Sequence, residues 1–184
     1  MIEIEVPETT ITFGDGQRAK YIPPTRVRLE HSLLAMSKWE AKYQRSFLNE
    51  EPRTSEEVEY YIQCMALDDV EPYIFSAFSS QDYDAIQAYI SASHTATTFQ
   101  SYGPPRPSKM QKVVTTEVIY YMMIIRGIPF DAETWPIDRL MTLLKIYEIE
   151  SNRGKKGTMM SAKQSAQWRI DENERRKRML KSKG

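Results

Sequence analysis

Apolar and polar residues alternate at the start of the chain, where Glu3 and Glu5 separate Ile2, Ile4 and Val6. A period of two predicts a strand with one dry and one wet face. Thr10-Ile11-Thr12-Phe13 is a second short run, and Gly14-Asp15-Gly16 carries turn chemistry. Residues 18–22 can return as a hairpin partner, Pro23-Pro24 breaks the run, and residues 26–31 alternate again. A three- or four-stranded antiparallel element is expected over residues 1–31. It is too thin to stand alone, so it should pack on helices.

From residue 32 the period lengthens. Met36, Trp39, Tyr43 and Phe47 have roughly helical spacing and predict a helix over 32–48, with Pro52 in the loop behind it. Thr54-Ser55-Glu56-Glu57 is a capping box, a hydroxyl followed three residues later by Glu. The helix it opens is expected to bury Val58, Tyr61, Ile62 and Met65, and Asp68-Asp69 and Pro72 close it. Ser79-Ser80-Gln81-Asp82 opens another, with Ile86, Tyr89 and Ile90 inward. Gly103-Pro104-Pro105-Arg106-Pro107-Ser108 cannot continue a helix and predicts a stiff loop. Thr115 or Thr116 caps a helix over 117–126, which stops at Gly127 with Pro129 beyond. It is apolar on nearly every side, so it is expected to be the central core helix. Thr134 and Pro136 open the next, with Ile137, Leu140, Met141, Leu144 and Tyr147 on one face.

After residue 152 the character changes. Arg153-Gly154-Lys155-Lys156-Gly157 predicts a basic, flexible linker. Ser161 with Gln164 forms a second capping box, and a polar helix follows toward Lys181. Its apolar face is thin (Ala162, Ala166 and Ile170), so burial within its own chain would gain it little, and it is expected to project. The fold class is therefore α+β, mainly α. A small antiparallel β element (1–31) packs on a helical body (32–152), followed by a basic linker and C-terminal helix (153–184).

Charge sharpens this division. Residues 153–184 hold eleven Lys and Arg against three Asp and Glu, a net of +8, and residues 1–152 carry −8. An acidic body with a basic tail is a pattern for holding partners. The N-terminus, Met1-Ile2-Glu3-Ile4-Glu5, is acidic where a secretory leader is basic. The most apolar stretch, 118–125, is far shorter than the about 20 residues that cross a bilayer. A cytosolic protein with no membrane attachment is expected.

Catalytic chemistry is hard to find. Cys64 lies in an apolar helical pattern without basic neighbours, so a buried thiol is expected rather than a nucleophile. His31 and His94 have no zinc-like spacing. Thr95-Ala96-Thr97-Thr98-Phe99 beside His94 lacks a nucleophile elbow and reads as hydroxyls bonding nearby backbone at a helix end. The pairs Glu50-Glu51, Glu56-Glu57 and Asp68-Asp69 sit at caps and loops. No enzyme activity, metal or cofactor is expected. Candidate contact residues lie in the tail: Met159 and Met160, which are hard to bury there, with Trp168, Arg175, Arg176, Lys177, Arg178 and Lys181. The basic cluster would also attract phosphate, but Trp168 is its sole stacking aromatic and the chain is neutral overall, which disfavours nucleic acid as the partner.

Several blocks together resemble the tail assembly chaperones of tailed bacteriophages. They are Ser32-Leu33-Leu34-Ala35-Met36-Ser37-Lys38-Trp39-Glu40 with Phe47-Leu48, and Thr54-Ser55-Glu56-Glu57 leading to Tyr60-Tyr61-Ile62-Gln63-Cys64-Met65. Thr95-Ala96-Thr97-Thr98-Phe99, Thr116-Glu117-Val118-Ile119-Tyr120-Tyr121, Ile128-Pro129-Phe130, Trp135 and Arg139-Leu140-Met141-Thr142-Leu143-Leu144 follow, and a basic segment ends in Lys183-Gly184. All are packing and capping patterns, and none is a catalytic signature. The resemblance implies a non-enzymatic protein of the host cell cytoplasm that binds the tape measure protein, or other tail proteins, during tail assembly. Several copies, or a homo-oligomer, could serve one client. A structural subunit of the virion tail or baseplate is the alternative, and a nucleic-acid-associated protein using the basic tail is the third reading.

Overall fold

Prolines decide the β architecture. The computed structural model describes residues 1–13, 18–49, 51–99, 114–156 and 170. In it, β1 (Ile2–Val6) pairs antiparallel with β4 (Thr25–Leu29), and β2 (Thr9–Phe13) with β3 (Arg18–Ile22). These are separate two-stranded ribbons, not the expected single element of three or four strands. Val6 faces Thr25 and Thr9 faces Ile22, so Pro7 and Pro23-Pro24 meet at one level. No proline can donate to a ladder, and both arms of one long hairpin break together. The alternation of β1 and β4 is as expected: Ile4, Val6, Val27 and Leu29 are buried. On the wet face, Arg26 Nε lies 2.6 Å from Glu3 and Nη2 3.1 Å from Glu5. Such exposed cross-strand pairs favour register more than they add stability.

Helix α1 (Leu33–Tyr43) begins at Ser32, whose Oγ accepts from Ala35 N at 3.3 Å, and buries Leu33, Ala35, Met36 and Trp39. It ends before Phe47, because Gln44 turns left-handed (φ 54) and returns its N–H to Glu40 O. Phe47 packs from the loop instead, its ring 4.1 Å from that of Tyr61 and 5.2 Å from that of Trp39. Helix α2 (Ser55–Cys64) has the expected capping box, with Glu57 N to Thr54 Oγ1 at 3.3 Å and Thr54 N to Glu57 Oε2 at 2.8 Å. Tyr61, Ile62 and Met65 are buried, but Val58 is 39% exposed and faces outward. The turn Pro72–Ala77 is 3-10 helical and buries Ile74 and Phe75, an element the pattern does not predict. Helix α3 (Ser80–Ser91) starts at a Ser79–Asp82 box and buries Ile86, with Tyr89 and Ile90 half-buried.

Helix α4 (Thr116–Ile125) stops at Gly127, left-handed at φ 65, as its chemistry predicts. A 3-10 turn, Phe130–Thr134, leads to α5 (Ile137–Lys156). Ile137, Leu140 and Leu144 are buried as expected, while Met141 and Tyr147 are exposed. The expected linker at Arg153-Gly154-Lys155-Lys156 is helical. The turn Gly14-Asp15-Gly16, the loop 103–108 and the box Ser161–Gln164 lie outside the described residues, and of the tail helix only Ile170 is described, as helical and exposed. The architecture is α+β with helices dominant. Met1–Leu144 form one unit and Lys145–Gly184 a second.

Beyond β4 the chain stays extended and changes partners. Leu67 N donates to Arg28 O at 2.9 Å, Glu30 N to Met65 O at 2.9 Å, and Ile137 N to His31 O at 2.8 Å. The polar side chains here are buried. Glu30 accepts from Tyr89 Oη at 2.6 Å and pairs with the α-ammonium of Met1 at 2.7 Å. His31 Nδ1 lies 2.6 Å from Tyr61 Oη, and burial pulls its pKa from 6.5 to about 4. Unfolded chain therefore takes up a proton near pH 6.5 that the folded chain refuses until about pH 4. Stability from this group is full above pH 6.5 and falls by on the order of 3 kcal/mol as pH drops to about 4. His31→Gln, which cannot titrate, should flatten that part of the acid slope; urea unfolding of both proteins across this window measures the difference.

Candidate functional site

The surface that stands out belongs to α4, the helix expected at the centre of the core. Only Thr116, Ile119 and Met123 of α4 are buried. Tyr121 is 62% exposed, Ile124 60% and Ile125 56%. The expectation fails because α4 packs against α1 on one side only. Trp39, Met36 and Leu33 of α1 are already buried in the shared core, so α4 closes that core as a wall.

The wall is held at both ends. Thr115 occupies the N-cap position but makes no side-chain cap bond. Glu40 of α1 supplies the cap instead: its Oε2 accepts from Thr116 N at 2.9 Å and from Thr116 Oγ1 at 2.5 Å. The same carboxylate accepts from Phe47 N through Oε1 at 2.8 Å. A negative charge at a helix N-terminus also complements the dipole. Ser46 Oγ adds a bond to Val114 O at 2.7 Å. Near the other end, Tyr120 Oη donates to Glu133 Oε2 at 2.6 Å, and burial with this carboxylate drives the phenol pKa up. The Phe130 ring lies 6.2 Å from that of Tyr120 and is 56% exposed.

Tyr121, Ile124 and Ile125 are neighbours at helical spacing, and Phe130 extends them past Tyr120. A contiguous apolar face of this kind on an ordered helix suits contact with another protein.

Groups with catalytic potential elsewhere are engaged structurally. His94 Nε2 lies 2.8 Å from Tyr89 O, and its ring stacks 4.3 Å from that of Tyr89. Thr95 Oγ1 accepts from Thr97 N at 3.3 Å, the local hydroxyl bonding that the sequence suggests. Cys64 is buried, and burial pushes its thiol pKa up. Glu51 and Glu57 pair with Arg45 at 3.2 and 2.5 Å, and Asp68 with Arg28, which holds the Asp68 pKa below the usual carboxylate range. A polar cavity of about 490 Å³ borders the Glu40–Thr116 junction, but Glu40, Ser46 and Arg45 are already bonded within the protein. Among the described residues no group of three His, Cys, Asp or Glu is placed to hold a metal ion, and no helix is long and apolar enough to cross a membrane.

The contact residues that the sequence suggests, Met159, Met160, Trp168, Arg175, Arg176, Lys177, Arg178 and Lys181, lie outside the described residues. Sequence reasoning missed the outer face of α4, although its signal was present: a helix apolar all round needs partners on every side, and this one finds them on one. The chain matches no family model, no curated protein and no solved structure. Glu40→Ala should leave the Phe47 and Thr116 N–H groups without acceptors, costing about 2–4 kcal/mol in all. Glu40→Gln keeps one acceptor oxygen but sets an NH2 donor against the other N–H, so it should also destabilise. Urea unfolding of the two variants tests the assignment, and a Glu40→Ala variant as stable as the wild type would count against it.

Proposed function

We propose that this protein is a non-enzymatic holder of other proteins, a tail assembly chaperone that covers apolar helical stripes of a phage tape measure protein until the tail tube encloses them. The observation that carries the proposal is the outward apolar face of α4, at Tyr121, Ile124 and Ile125. Apolar helical surfaces aggregate when left uncovered, and a matching apolar face on a soluble partner protects them. The sequence blocks that resemble this family support the specific client. They fall on α1, on α2 with its capping box, on the segment after α3, on α4 with the turn behind it, and on α5. A structural subunit of the tail or baseplate would use the same face permanently.

Co-expression with the tape measure protein of the same genome tests the proposal. The wild-type chain should keep the client soluble and co-purify with it. The double variant Ile124→Glu, Ile125→Lys should fold, because exposed substitutions shift stability by only about 0.5 kcal/mol, yet lose co-purification. A client that stays insoluble with wild type, or is retained by the variant, defeats the proposal. Finding the chain at fixed copy number in purified virions would favour the structural subunit.

A further inference from the structure

A second apolar surface lies away from α4. Helices α2 and α3 make little direct contact, and a cavity of about 400 Å³ opens between them. Met36, Phe47, Ile62, Ile86 and Ile90 form its apolar lining. His31 and Tyr61 also line it, and both are buried and bonded to each other, so its base is polar but satisfied. The apolar lining continues onto the rim through Leu48 and Val58, 40% and 39% exposed. The exposed rim leaves the cavity open along one side as a trough.

The trough is also polarised. Arg53 stands at the α2 entrance, its guanidinium 4.1 Å over the Phe47 ring and its Nη2 donating to Phe47 O. Among the described residues no carboxylate lies within ion-pair distance of it, since neighbouring Glu57 and Glu51 are taken by Arg45. On the α3 wall stands Asp84, also without an ion-pair partner among the described residues. The α2 side thus carries a cation and the α3 side a carboxylate, neither in an ion pair among the described residues.

We propose that the α2–α3 trough receives an amphipathic helix of a protein partner, its apolar stripe seated on Ile62, Ile86 and Ile90, with a carboxylate against Arg53 and a cationic side chain against Asp84. Helix-in-groove docking takes this form, apolar anchors giving affinity and flanking charges setting direction. The inference rests on the protein-holding function proposed above and adds a second contact surface with a fixed orientation.

Isothermal titration of the full-length chain with two synthetic helical peptides of about five turns tests it. Both carry one Leu/Phe stripe; one has Glu at its first end and Lys at its last, and the other has these exchanged. One peptide should bind about tenfold more tightly than the other; Arg53→Glu, which leaves both sites acidic, should abolish the preference, and Arg53→Glu with Asp84→Lys should reverse it. Val58→Trp, a rim change that fills the trough, should weaken both peptides about tenfold, with circular dichroism confirming the fold. Absent binding, equal affinities of the wild-type chain for the two peptides, or a preference that the double charge exchange leaves unchanged, overturns the proposal. If Val58→Trp changes the oligomeric state and not peptide binding, a second copy occupies the trough and the proposal falls. If the trough variants leave client capture intact while the α4 variant abolishes it, the trough assignment fails and the chaperone proposal stands.

Discussion

The first unit depends on one extended stretch, residues 28–32, finding hydrogen bonds where water does not reach. Arg28 and Glu30 bond the segment behind α2, His31 bonds α2 through its ring and α5 through its carbonyl, and Glu30 reaches α3 through Tyr89. Ser32 then starts α1. A buried carboxylate and a buried imidazole in adjacent positions would be costly if either lacked its partner. Here each partner comes from a different helix, so these helices share one arrangement in which both groups are satisfied. Apolar packing supplies the driving force, and this polar stretch selects which packing forms.

Local chemistry was the most legible part of the sequence. The Thr54–Glu57 and Ser79–Asp82 boxes, the Gly127 stop and the alternation of β1 and β4 each depend on residues within a few positions of one another. What escaped depends on distant parts. Pro7 and Pro23-Pro24 each predict a local break, but only the register places them side by side and divides the sheet. Phe47 keeps helical spacing from Tyr43, yet Gln44 ends the helix and the ring reaches the core from a loop. Gly154 signals flexibility, yet it lies within α5.

The candidate site shows the same limit from the functional side. Hydrophobicity along α4 reports that residues are apolar, not which faces meet a partner. Its outer face became visible only once Glu40 fixed how the helix meets α1. The α2–α3 trough was less legible still, for it arises where two amphipathic helices fail to fill the space between them. Val58, expected inside, is the residue that marks it.

The bond from Ile137 N to His31 O also imposes an order in time. A ribosome delivers the N-terminal part first, and His31 emerges long before its partner at Ile137. Until α5 begins to leave the exit tunnel, the stretch that selects the packing lacks one of its hydrogen-bond partners, although α4 has already emerged. Nascent chains of this protein therefore pass through a window in which this arrangement is incomplete, and it closes only once residue 137 has left the exit tunnel.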